Sequence, residues 1–212
     1  MKKQSKVLLA MLCAVLLVVS AVCGTLAYLT DTDTATNTFT VGKVGIKLDE
    51  AKVNPDGTEV EGAARVKENL YDLMPGHTYV KDPMVTVDAD SEESYIRMIV
   101  TLSDANALKD AMPKYVENGV FMLEKIVGGW DRDVWQCVSA TADGVYEFRY
   151  YKSVSTKDAA ALPLEPLFKT ITIPGEVDNA QLLELEGVVV NIVAHAIQAD
   201  GFADADAAWA KF

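Results

Sequence analysis

The side chains able to do chemistry are few: two histidines, His77 and His195, one cysteine beyond the apolar opening, Cys137, and two acidic clusters. A helical zinc-peptidase site needs two imidazoles one turn apart, to ligate the ion, and a glutamate between them, to activate water. His77 and His195 are 118 positions apart, and neither has a glutamate at the motif spacing. A serine nucleophile on a sharp turn would show Gly-x-Ser-x-Gly. That motif is absent, and so is a glycine-rich phosphate loop. His195, inside the apolar run GVVVNIVAHAIQA, reads as a packed side chain. Cys137, in VWQCVSA, reads as a small buried hydrophobe with no neighbouring base to activate it.

The acidic clusters are DTDTATN, with Asp31, Asp33 and Asn37, and DADSEE, with Asp88, Asp90, Glu92 and Glu93. Calcium takes six to eight oxygens, and its loop motif has ligands at positions 1, 3 and 5, glycine at 6 and glutamate at 12. Counted from Asp31, Asp33 fits, whereas Ala35, Thr36 and Gly42 stand at the third ligand, the glycine and the glutamate. The expectation is a solvated acidic surface with no built metal site. Asp31, Asp33 and Asn37 remain weak calcium candidates, and no other cofactor is expected.

The elements that would carry these residues begin after an export signal. MKKQSK supplies three lysines, and VLLAMLCAVLLVVSAV is interrupted only by Ser20. A positive start, an apolar run and small residues before a polar segment mark a secretory signal peptide. Thr25 and Ala27 suit the small pockets of a signal peptidase, which places the cut before Tyr28, with Ala21 as a poorer second site and an uncleaved N-terminal anchor as the alternative. Residues 1–27 are then the signal, and 28–212 a single domain of 185 residues with a flexible polar leader over 28–38. Removing the three signal lysines leaves 16 basic against 31 acidic residues, a net charge of −15. Such a chain repels nucleic acid and anionic membrane surfaces. Cys13 and Cys23 leave with the signal, so Cys137 has no intramolecular disulfide partner.

Strand patterns dominate the remainder. TFTVGKVGIKL (38–48) is rich in β-branched residues, and NPDG and MPGH are turns. SYIRMIVTLSD alternates, with Ile96, Met98, Val100 and Leu102 on one face. DVWQCVSATADGVYEFRYYKSV reads as a hairpin turning at Asp143-Gly144. LFKTITIP adds a strand, and GVVVNIVAHAIQA, apolar on both faces, is expected at a sheet centre. SDANALKDAMPKYVENG, VDNAQLLELEG and DADAAWAKF are short helical candidates. The fold class expected is mainly β: an antiparallel sandwich, jelly-roll-like or immunoglobulin-like, with a few peripheral helices.

GTLAYLTDTDTATNTFTVGKVGIKLDE resembles the N-terminus of TasA/camelysin-like proteins of Gram-positive bacteria. LMPGHTYVKDPMVTV is similar to that family's Pro-Gly stretch before a core strand, and AHAIQADGFADADAAWAKF to endings of clostridial-type members. The resemblance implies export through a SipW-type signal peptidase. It further implies a secreted subunit of biofilm-matrix fibres, in which the N-terminal strand of one copy completes a neighbour's sheet. The apolar plugs of that strand would be Phe39, Val41, Val44, Ile46 and Leu48. Two other readings stand beside it: a camelysin-type cell-surface metallopeptidase, and a monomeric surface protein that binds a cation or a glycan.

Overall fold

The alternation in SYIRMIVTLSD becomes an inner strand of the largest sheet. The computed structural model describes residues 42–212. Within them, Ser94–Leu102 buries every second side chain. Ile96, Met98, Val100 and Leu102 face the core, while Arg97, Ile99 and Thr101 face the other way, as a period of two requires.

In chain order the strands are β1 (Ile46–Asp49), β2 (Thr78–Val80), β3 (Met84–Val87), β4 (Ser94–Leu102), β5 (Val116–Glu117), β6 (Val120–Phe121) and β7 (Val127–Gly128). Then follow β8 (Trp135–Ala140), β9 (Val145–Tyr150), β10 (Leu162–Pro163), β11 (Thr170–Thr172) and β12 (Val190–Gln198). One sheet runs β12-β4-β9-β8, two smaller ones run β1-β3-β10 and β2-β11-β7, and β5 pairs with β6 alone. Every pairing is antiparallel. The inner face of the large sheet packs with Val85 and Val87 of β3 and Tyr79 of β2 in one continuous core. Each such apolar side chain, fully buried, contributes about 1.5–3 kcal/mol. The fold is thus mainly β, antiparallel and sandwich-like, with few helices, as the strand patterns indicate.

Turn chemistry follows the sequence. Asp143-Gly144 closes the β8–β9 hairpin with Gly144 at φ +77°, and a Cβ there would stand 2.8 Å from the Cβ of Ala105. Only glycine meets both demands. The helices are α1 (Ala105–Ala111), α2 (Asn179–Glu184) and α3 (Ala205–Trp209). Each starts at an aspartate that accepts backbone N–H bonds: Asp104, Asp178 and Asp204. Asp178 and Gln181 form a reciprocal capping box. Ser103, next to the cap of α1, accepts from the Val189 N–H at 2.8 Å. Pro113 ends α1 and opens a short 3-10 turn over Pro113–Tyr115. No helix among the described residues is long and apolar enough to cross a membrane.

Two local expectations are corrected. The apolar strand β12 has β4 as its only partner among the described residues, so it stands at the end of its sheet. Cys137 is exposed. It lies on β8, the opposite end of the same sheet, where every residue after Trp135 is exposed and a bulge falls between Cys137 and Ser139. A bulged end strand carries apolar letters without a layer to cover them.

The segment from Ala51 to Asp72 has almost no regular structure, only the isolated bridges Glu50–Val66 and Val53–Glu59. Polar side chains hold it instead. Arg65 donates from Nε to Asp49 Oδ1 at 2.6 Å and from Nη1 to Asp82 Oδ2 at 2.8 Å, and Nη2 reaches both backbone carbonyls. Lys81 Nζ reaches Glu50 Oε2 at 2.6 Å, and Asn69 donates to Glu50 Oε1 and to the Ala51 carbonyl. Asp49 and Glu50 are buried, so each carboxylate depends on these partners.

Candidate functional site

The backbone pattern of β12 defines an open edge. In an antiparallel ladder, alternate residues turn their N–H and C=O to opposite neighbours. Ser103 N–H bonds to the Val189 carbonyl, and Ala199 N–H to the Glu93 carbonyl, so the odd-numbered residues of β12 face β4. The peptide groups of Val190, Ile192, Ala194, Ala196 and Gln198 therefore point away from it. Among the described residues they have no backbone partner. The side chains of Val190, Ile192, Ala194 and Ala196 pack on the core yet stay half-buried.

β1 supplies the facing edge. Asp88 N–H bonds to the Gly45 carbonyl, so Gly45, Lys47 and Asp49 face β3, while the peptide groups of Ile46 and Leu48 point outward. Both side chains pack against the core and are half-buried. β1 passes within 8 Å of β12, Cα to Cα, without pairing to it. Two edges, one from each sheet, thus border a strip lined by Ile46, Leu48, Ile192, Ala194 and Ala196. Unpaired peptide groups beside half-covered aliphatic side chains are what an added strand satisfies.

The sequence-expected residues distribute unevenly around this strip. Thr25, Ala27 and Tyr28 of the cleavage site, Phe39 and Val41 of the donor strand, and Asp31, Asp33 and Asn37 lie outside the described residues. Val44 is half-buried in the segment leading into β1. Ile46 and Leu48 belong to the chain's own sheet, opposite Val87 and Val85. These two residues are therefore not free to serve as plugs in a neighbouring copy. Nothing in the alternation of 38–48 marks where own sheet begins, because both uses need the same pattern.

The other chemical candidates stand apart. His77 is exposed, beside Tyr79. His195 lies opposite Arg97 on the outer face of the large sheet, and burial together with the nearby Arg97 charge holds its pKa below 6.5. Partial desolvation raises the Cys137 thiol pKa, which keeps it protonated and weakly nucleophilic at neutral pH. The acidic cluster at 88–93 is engaged by cations and hydroxyls: Glu92 binds Lys157 at 2.9 Å, and Ser153 donates to Glu93 at 2.5 Å. Among the described residues, no group of three or more His, Cys, Asp or Glu side chains is placed to hold a metal ion. No family model, curated protein or solved structure matches this chain.

Proposed function

We propose that the protein is a secreted structural subunit of the extracellular matrix or cell envelope, assembling into filaments by donation of its N-terminal strand. The observation that carries this reading is the strip between β1 and β12, with its unpaired β12 peptide groups among the described residues. Its proposed occupant is the segment 28–41 of a second copy, which carries Phe39 and Val41. Fourteen extended residues span roughly 46 Å, more than the roughly 30 Å of a nine-residue strand. The resemblance to TasA/camelysin-like proteins supports the same reading.

We further propose a direction for the donated strand. Gly42 stands beside Glu92, and Ala199 is bonded to Glu93, so the chain enters the domain at the end where β12 finishes. A head-to-tail donor then enters the next copy at its Val190 end and runs antiparallel to β12. Head-to-tail contacts do not close on themselves, so they give filaments rather than dimers. The net charge of −15 opposes association, and salt promotes it by screening.

The test compares protein beginning at Tyr28 with protein beginning at Val41, by sedimentation and negative-stain microscopy in low and moderate salt. Filaments from the longer form alone are expected, with loss on Phe39→Asp or Ile192→Asp while the monomer stays folded. Equal behaviour of the two lengths would sink strand donation. Casein hydrolysis with stoichiometric zinc would instead favour the camelysin-type metallopeptidase.

Export makes its own prediction. N-terminal sequencing of the secreted protein is expected to start at Tyr28, and Ala27→Leu is expected to slow release, because a bulky residue blocks the peptidase pocket. A start at Val22, or retention of Met1, contradicts this cut.

A further inference from the structure

The outer face of the large sheet carries a cationic row covered by the C-terminal segment. His195, Arg97 and Arg149 lie side by side across β12, β4 and β9. Above them sits α3 with the residues after it. The Arg97 guanidinium lies 4.4 Å from the Trp209 ring centre and 4.6 Å from that of Phe212. The Phe212 ring in turn lies 4.7 Å from the His195 ring. Arg149 binds Asp206 of α3, so the segment is held by one ion pair and one aromatic clamp on a single arginine.

The clamp depends on the protonation of His195. Arg97 Nε–H donates to His195 Nδ1 at 3.4 Å, which requires that Nδ1 carry no proton. A proton taken from solvent onto Nδ1 turns the acceptor into a donor and sets an imidazolium against a guanidinium. The charges facing His195 offset this only in part: Glu147 favours the imidazolium, but burial and Arg97 outweigh it. From β4 comes Arg97, and from β9 come Glu147 and Arg149, with Glu147 already bound to both arginines. The charged residues of the C-terminal segment are Asp206, bound to Arg149, and Lys211. The closed position is also imperfect in itself: the buried Trp209 Nε1–H has no hydrogen-bond partner among the described residues. Opening restores that bond to water, which lowers the cost of releasing the segment.

We propose that residues 205–212 form a latch that opens when His195 is protonated, uncovering Arg97, Arg149 and His195 as an electropositive patch on an otherwise acidic protein. Closed, burial and the Arg97 charge hold the histidine's pKa down; open and solvated, it returns to the ordinary imidazole value of about 6.5. The latch is therefore fully favoured above that pH and weakens progressively as pH falls below it.

Protein labelled with 5-fluorotryptophan tests this, since its three tryptophans give three fluorine signals, and Trp209→Phe assigns one. Between pH 7.5 and 5.0 the Trp209 signal is expected to move to the position of solvent-exposed indole, while those of Trp130 and Trp135 stay fixed. His195→Gln, which keeps a neutral acceptor for Arg97, is expected to hold the Trp209 signal at its closed position throughout. A Trp209 signal that does not move in the unsubstituted protein overturns the latch. So does movement of all three signals together, which means global unfolding, and so does an unchanged titration in His195→Gln.

Discussion

Trp135→Ala is expected to lower stability more than any other single change in the large sheet, by about 3–5 kcal/mol. Trp135 is fully buried, whereas the rest of β8 is exposed. Its indole Nε1 donates to the Glu165 carbonyl at 2.9 Å, and its own carbonyl accepts from Trp130 Nε1 at 2.7 Å. Its ring meets Tyr150 edge-on at 5.1 Å. One residue thus pins an end strand, a neighbouring aromatic and the loop around Glu165. Alanine leaves a cavity and an orphaned carbonyl, and phenylalanine leaves mainly the orphan, at about 1–3 kcal/mol. Denaturant titration of the three proteins checks the order, and in thermal unfolding the alanine variant is expected to melt roughly 10 °C lower. An alanine variant within 1 kcal/mol of the parent would mean that β8 is held elsewhere. The alanine variant is also expected to aggregate sooner, because a loosened end strand exposes unpaired backbone.

What the sequence made legible follows from period and turn chemistry. The β4 alternation and the Asp143-Gly144 hairpin are local rules written in consecutive letters, and each takes the expected form. Strand order is not local. β12 is apolar on both faces and resembles a central strand, yet its outer face is partly covered by α3 and its inner face by the core, so both faces need apolar letters at a sheet's end. Cys137 misled for the opposite reason: β-branched and aromatic neighbours mark a strand without marking which end of a sheet it takes. The open edge of β12 among the described residues escaped notice because peptide groups have no side-chain signature. The cationic row was equally hidden, since Arg97, Arg149 and His195 come together only through the registers of β4 with β9 and β12.

The polar clamp beneath the 51–72 segment was likewise unreadable, and it carries the second large effect. Arg65→Met is expected to cost about 3 kcal/mol, the low end for breaking a buried ion pair because the guanidinium is itself partly exposed. The loss exceeds that of a surface salt bridge because Asp49, with 3% of its side chain exposed, keeps its charge with Lys47 as its only remaining cation. Acid dependence separates this cause from lost packing. Burial works to raise the Asp49 pKa, but hydrogen bonds and charge from Lys47 and Arg65 outweigh it and hold the pKa below 3.8. In the parent, that lowered pKa contributes stability above pH 3.8, lost as pH falls through the folded value. Without Arg65, burial regains weight and the charged form becomes the costly one. The deficit of Arg65→Met should therefore narrow as pH falls from 7 towards 4, and adding Asp49→Asn should recover part of it at pH 7. Urea unfolding of the parent, the single variant and the double variant at both pH values measures this. A deficit that stays constant with pH, and that Asp49→Asn deepens, would assign the role of Arg65 to the packing of its aliphatic stem. In that case the 51–72 segment would be held by Asn69 and Lys81 instead.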